Sequence, residues 1–185
     1  EIPNNIYMVK KEHNTGYGAG IKFGIEKVET EFCGWMHADL QQNVSTLVNA
    51  KELFERLNHN KNQELIAIKG LRSGRSLLEN LFTIGVSLIT SALFFRKFWD
   101  IAGQPNLFKT SSLNFLKKAP NGHNFEFFVY IYFILVLNGK FKRFDAPFFK
   151  RKFGVSSWDK GFLSKLKHSK IIFKYILHLR FSSNF

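Results

Sequence analysis

The densest run of chemically capable side chains in this sequence lies between Asn138 and Gly154. Six cations, Lys140, Lys142, Arg143, Lys150, Arg151 and Lys152, are interleaved there with Phe and accompanied by one acid, Asp145. Amines and guanidiniums at that density make neither a nucleophile nor an acid–base pair; they suit phosphate contacts, which give affinity and salt dependence without sequence readout. On a strand, alternation sets Lys140 and Lys142 against Phe141 and Arg143, so that cations are presented while Phe anchors the other face in the core. A second cationic pair, Arg96-Lys97, closes a long apolar stretch. A third arrangement is Gly70-Leu71-Arg72-Ser73-Gly74-Arg75, a glycine-containing link between a strand and a helix N-terminus. Such a turn can hold a phosphate, which brings Arg72 and Arg75 into the candidate set. It lacks the Lys-Ser/Thr of a P-loop and the third Gly of a dinucleotide turn, and a plain strand-to-helix connection is its simpler account. For stacking on unpaired bases the candidates are Trp99, Trp158, Tyr175 and Tyr17, because most of the 22 Phe are needed to fill a core.

Catalytic chemistry finds little to use. His37 and Asp39, two apart, would share one strand face, but no GxSxG elbow, HExxH pair or close pair of strand-end carboxylates accompanies them. The six His are scattered, and the single Cys33 can form neither a disulfide within the chain nor part of a Cys/His metal cluster. The expectation is a protein that is not an enzyme, with no catalytic residue, no metal ligand and no cofactor.

Charge distribution narrows the partner class. The 185 residues carry 27 Lys+Arg against 14 Asp+Glu, a formal charge of +13. Residues 1–92 hold 10 basic and 10 acidic side chains, while residues 93–185 hold 17 basic and 4 acidic, so the whole excess lies in the second half. A neutral half joined to a basic half implies a face for a polyanion, either nucleic acid or anionic lipid, rather than generic solubility. Phe, Lys, Asn, Ile and Tyr make up 76 of the 185 residues; their codons are rich in A and T, as in an organelle genome or an A/T-rich nuclear one. No Arg-rich presequence or signal peptide is visible at the start.

The elements that must position these groups can be outlined from periodicity. Residues 1–35, with Gly16, Gly18, Gly20, Gly24 and Gly34, read as loops with one strand around residues 21–28. Asn43 is a candidate cap for a helix through Val44, Leu47, Val48, Phe54 and Leu57. Residues 64–69 read as a short strand ended by Gly70, and residues 76–98 as the long helix, broken by Gly103 and Pro105. A second short helix is expected at 111–118. The aromatic and β-branched run 125–137 reads as a buried strand, joined through Asn138-Gly139 in a hairpin to a return strand at 140–144. Residues 148–155 and 171–181 are further strand candidates. Two uncharged runs, 81–95 and 127–137, fall short of the roughly 20 residues a helix needs to cross hydrocarbon.

In that order of elements the chain resembles the small-subunit ribosomal protein S-three family, in a diverged organellar form, over roughly residues 50–185. The family has a strand followed by a long helix ending in Phe-Arg-Arg; here Ile66-Ala67-Ile68 leads to Phe94-Phe95-Arg96-Lys97. Its later strand and basic return are matched by Leu137-Asn138-Gly139-Lys140-Phe141 and Phe153-Gly154-Val155. Two departures stand out. Leu40-Gln41-Gln42-Asn43-Val44-Ser45 replaces the Gly-x-x-Gly loop by which K-homology domains clamp a nucleic-acid backbone, and residues 102–124 are an insertion. A weaker likeness, carried by Ile68-Lys69-Gly70-Leu71-Arg72-Ser73-Gly74-Arg75, is to the S-eleven ribosomal family.

The resemblance implies an α+β fold, with a degenerate K-homology-like α/β region at residues 1–63 and, at 64–185, a basic domain of helices packed on a mostly antiparallel sheet. It implies a structural constituent of the small subunit of a mitochondrial ribosome, sited in the head where messenger RNA enters. Its partners would be rRNA, neighbouring small-subunit proteins and that messenger, with no small-molecule substrate. The rRNA-binding set is then Arg72, Arg75, Arg96, Lys97, Lys140, Lys142, Arg143, Lys150, Arg151 and Lys152. The competing class is an accessory subunit of a mitochondrial inner-membrane respiratory complex, with residues 81–95 at the lipid boundary and the basic half on anionic headgroups.

Overall fold

The computed structural model describes residues 7–59, 65–75, 77–121, 124–151 and 162–182. Its centre is a helix, and the reason is compositional. From Phe127 to Phe133, and again at Leu135, the chain is apolar on every side, and each of these residues is no more than 4% exposed. A helix that is apolar all round must be surrounded. This one, Asn124–Asn138, becomes α4 below and is packed on all sides by the other elements.

Before it come α1 (Tyr17–Ile25), β1 (Phe32–Trp35), α2 (Ser45–His59), β2 (Ala67–Ser73), α3 (Leu77–Phe94), β3 (Asn106–Lys109) and a 3-10 helix (Thr110–Lys118); after it come β4 (Phe141–Pro147) and α5 (Phe162–Ser182). The fold is therefore α+β. Among the described residues four strands form one sheet in the order β1-β3-β2-β4, antiparallel at β1–β3 and β2–β3 and parallel at β2–β4.

Strand alternation divides the core between the sheet's two faces. Ala67, Phe108 and Phe141 join the large cluster around α4, which also takes in Ile172, Ile176 and Leu179 of α5. Ile68, Leu107 and Phe144 point the other way and pack with Ala50 and Phe54 of α2. Asn43 caps α2 as its sequence position predicts, its Oδ1 accepting from Ser45 N at 3.1 Å.

Several expectations are corrected here. The run 125–137 is helix rather than strand: a short, continuously apolar segment has no period to tell the two apart. Asn138-Gly139 makes no hairpin. Gly139 adopts φ +67 and its N–H bonds to the Leu135 carbonyl at 3.0 Å, a left-handed cap that ends α4. The following strand, β4, pairs in parallel with β2 instead. Residues 171–181 are helical within α5, and the expected strand at 21–28 falls largely on α1, where Tyr17, Ile21 and Ile25 at spacings of four pack against the α4 core. Residues 148–151 are not strand, and the rest of that candidate, 152–155, lies outside the described residues.

Gly70 does not end β2 but sits within it. A Cβ there would lie 2.1 Å from the Gln104 carbonyl oxygen, so Gly lets the 103–105 segment cross the strand. The long helix ends at Phe94, earlier than expected, with Phe95 at φ 52 reversing the chain. The boundary expected at residue 63 runs through the sheet, because β1 on one side pairs with β3 on the other.

Candidate nucleic-acid interface

The parallel pairing of β2 with β4 puts Lys69 beside Arg143 and Arg72 beside Ala146. Two cations side by side inside a protein need counter-groups, and the chain between α3 and β3 supplies them. Asp100, 3% exposed at its side chain, receives hydrogen bonds from the backbone N and Nε of Arg72, each at 2.9 Å, and from Arg72 Nη2. Arg75 Nη1 lies 4.0 Å and Arg143 Nη2 3.9 Å from the same carboxylate. Burial alone would push the Asp100 carboxyl up; Arg72, through charge and hydrogen bonds, and then Arg143 outweigh it and hold it below its ordinary value of 3.8.

Arg143 is further spent on carbonyls. It donates to the oxygens of Trp99 at 2.5 Å, Gly70 at 2.7 Å and Lys69 at 3.2 Å, and to the Tyr132 hydroxyl at 2.7 Å, with its guanidinium 5.1 Å from the Tyr132 ring centre. Lys69, fully buried, gives its Nζ to the Gly103 carbonyl at 2.6 Å and to Asn106 Oδ1 at 3.1 Å. Burial first, and Arg143 and Arg72 with it, drive its pKa well below 10.5 against the pull of Asp100. Arg75 bonds Thr83 Oγ1 at 2.6 Å, and with Arg72 it flanks the Phe148 ring.

The ten predicted cations therefore separate into an interior group, an exposed group and two others. Arg72, Arg75 and Arg143 belong to an interior network that ties β2, β4 and the 99–104 segment together. Their geometry fits cross-linking of the fold, and the 70–75 segment, whose simpler account is a plain strand-to-helix connection, is mostly strand. Arg151 is half engaged, its Nη2 2.7 Å from Asp39 Oδ2. Exposed instead are Arg96 and Lys97 just past α3, Lys140 immediately before the edge strand, Lys142 on it, and Lys150 beyond it; none of these five forms an ion pair with a described residue. Lys152 lies outside the described residues. Of the stacking candidates, Tyr17 is enclosed against Phe127 and Phe128, Tyr175 is partly buried on the α4 core, and Trp99 is 40% exposed; Trp158 lies outside the described residues.

His37 and Asp39 do not work as a pair. The imidazole turns inward, its Nε2 3.1 Å from Gln104 Nε2 and its ring 5.6 Å from that of Tyr17, while Asp39 faces Arg151. Burial lowers the His37 pKa below 6.5, opposed by Asp39 and aided by Arg72 and Arg151.

Periodicity missed the cations of α5. Lys167, Lys170 and Lys174 stand exposed along one side of that helix, opposite Ile172, Ile176 and Leu179. The spacing of those three apolar residues, four then three, is the signal that identifies a helix there. Lys117 and Lys118, at the end of the 3-10 helix, are also exposed.

Fold and site together define an α+β protein whose second half presents lysines from an edge strand, a helix end and a helix face. No protein-family model matches the chain, and no curated protein or solved structure matches it either.

Proposed function

We propose that this chain is a structural, rRNA-binding constituent of the small subunit of a mitochondrial ribosome, placed in its head where messenger RNA enters, and that it carries no catalysis. The observation that supports this reading is the state of the edge strand. Lys142 on β4 and Lys140 just before it are exposed and form no ion pair with a described residue, as is true of Lys150 past the strand's far end, in a chain whose net +13 lies entirely in its second half. Lysines that neutralise no carboxylate of their own are available to release counterions from an RNA backbone. The head placement and the neighbouring small-subunit proteins rest on the likeness of Ile66-Ala67-Ile68, Phe94-Phe95-Arg96-Lys97 and Leu137-Asn138-Gly139-Lys140-Phe141 to the S-three pattern.

The test is the salt dependence of binding by the full chain to a structured RNA. Lys140→Glu with Lys142→Glu is expected to weaken binding at every RNA sequence alike and to reduce the slope of log K against log salt by about two. An unchanged slope would remove β4 from the interface. In cells, co-sedimentation with small subunits after detergent, lost at high salt, supports the ribosomal assignment; retention in a detergent-solubilised respiratory complex would overturn it.

A further inference from the structure

α3 is apolar on two sides, more than a helix that only supports a sheet requires. Its inward side packs Val86, Leu93 and Phe94 against the α4 core and also carries hydroxyls: Ser87 and Thr90 are buried, Thr90 Oγ1 bonds the Val86 carbonyl at 2.7 Å, and Ser91 Oγ accepts from Phe98 N at 2.9 Å. Its outward side is apolar. Leu77, Leu81 and Leu88 are 83%, 62% and 62% exposed, with Phe82 and Ile89 beside them. Gly85 and Ala92 continue the same row at spacings of three and four, so the face runs the length of the helix, about 27 Å. The helix's one acid, Glu79, is about 200° around the axis from both Leu77 and Leu81 and so lies off that face.

Single exposed leucines are ordinary, but a contiguous apolar face marks an interaction surface. What identifies the partner is the end of the row. Phe95, 83% exposed, and Trp99, 40% exposed, stand there together with Arg96 and Lys97. Aromatics and cations beside an apolar helix face are the arrangement that seats at lipid headgroups, with the cations on phosphates and the aliphatic side chains in the acyl boundary. Among the described residues no helix is long and apolar enough to cross a membrane, which leaves contact in the plane of the interface.

We propose that α3 docks on the surface of an anionic lipid bilayer, Leu81, Leu88 and Ile89 entering the acyl boundary while Arg96 and Lys97 meet the headgroup phosphates. This goes beyond RNA binding and uses a different element from β4. The test is flotation of the full chain with vesicles of phosphatidylcholine alone or phosphatidylcholine mixed with phosphatidylglycerol. The wild type is expected to float with the mixed vesicles and far less with the neutral ones. Leu81→Glu with Leu88→Glu should lower that partition at least tenfold, and Arg96→Gln with Lys97→Gln should lower it by roughly fivefold per cation. All four positions are exposed, so thermal unfolding of both variants should match the wild type, and the Leu variant should bind RNA unchanged. The proposal fails if the wild type ignores anionic vesicles or if the Leu variant floats as well as the wild type. It also fails if light scattering shows a wild-type dimer that the Leu variant dissociates, which would assign the face to a second copy.

Discussion

Asp100 is the residue on which most of the interior polar chemistry converges. One carboxylate faces Arg72, Arg75 and Arg143, with Lys69 in the adjoining space, so removing its charge takes the counter-ion from Arg72 and Arg143 and leaves Arg75 with Glu79 alone. Breaking a buried ion pair from one side costs about 3–5 kcal/mol, and Asp100→Asn is expected to lower the unfolding free energy in urea by that order. The pH dependence follows from the same contacts. Because the folded carboxyl titrates below its unfolded value of 3.8, its stabilisation is complete above that value and is lost as pH falls through the folded pKa. The wild type should therefore lose more stability on acidification below pH 4 than Asp100→Asn, and parallel acid curves would show that Arg72 does not hold the carboxylate. From sequence, Arg72 and Arg143 could be singled out as basic but not as interior, since only the β2–β4 register brings them to Asp100.

At the scale of elements, the deciding feature is how α4 stops. Asn138-Gly139 serves either a hairpin turn or a helix cap, because both require a left-handed residue that Gly supplies without steric cost. The parallel pairing of β4 with β2 leaves only the cap. Gly139→Ala keeps the chain length and adds one methyl at φ +67, where nothing else lies within 4 Å, so its cost is backbone strain alone. A loss of about 1 kcal/mol is expected, read as a lower thermal midpoint with unchanged RNA binding; an unchanged midpoint would mean that the cap relaxes. Element types were legible where apolar residues recur on one side, as in α2 with its Asn43 cap. They were not legible in α4, whose apolar residues cover the whole circumference, nor in β3, four residues inside what read as an insertion.

For the whole molecule, the consequence is that the two halves defined by charge are not two halves of the fold. β1 pairs with β3, α2 covers Ile68 and Phe144, and α1 packs on α4, so residues before 63 complete both faces of the core. Residues 64–185 expressed alone are expected to lack cooperative thermal unfolding and to regain it when residues 1–63 are co-expressed; a fragment that unfolds at the full-length midpoint would make the first segment an appendage. The sequence alone determined the charge asymmetry, the dearth of catalytic and metal-ligating patterns, and the existence of α2, β2 and α3, because composition and one-sided periodicity are local properties. Which cations remain available was decided only by tertiary structure. The β2–β4 register draws Arg72 and Arg143 inward to Asp100 and leaves Lys142 on the open edge with Lys140 just ahead of it, and register depends on residues some seventy positions apart, whose meeting no local pattern encodes.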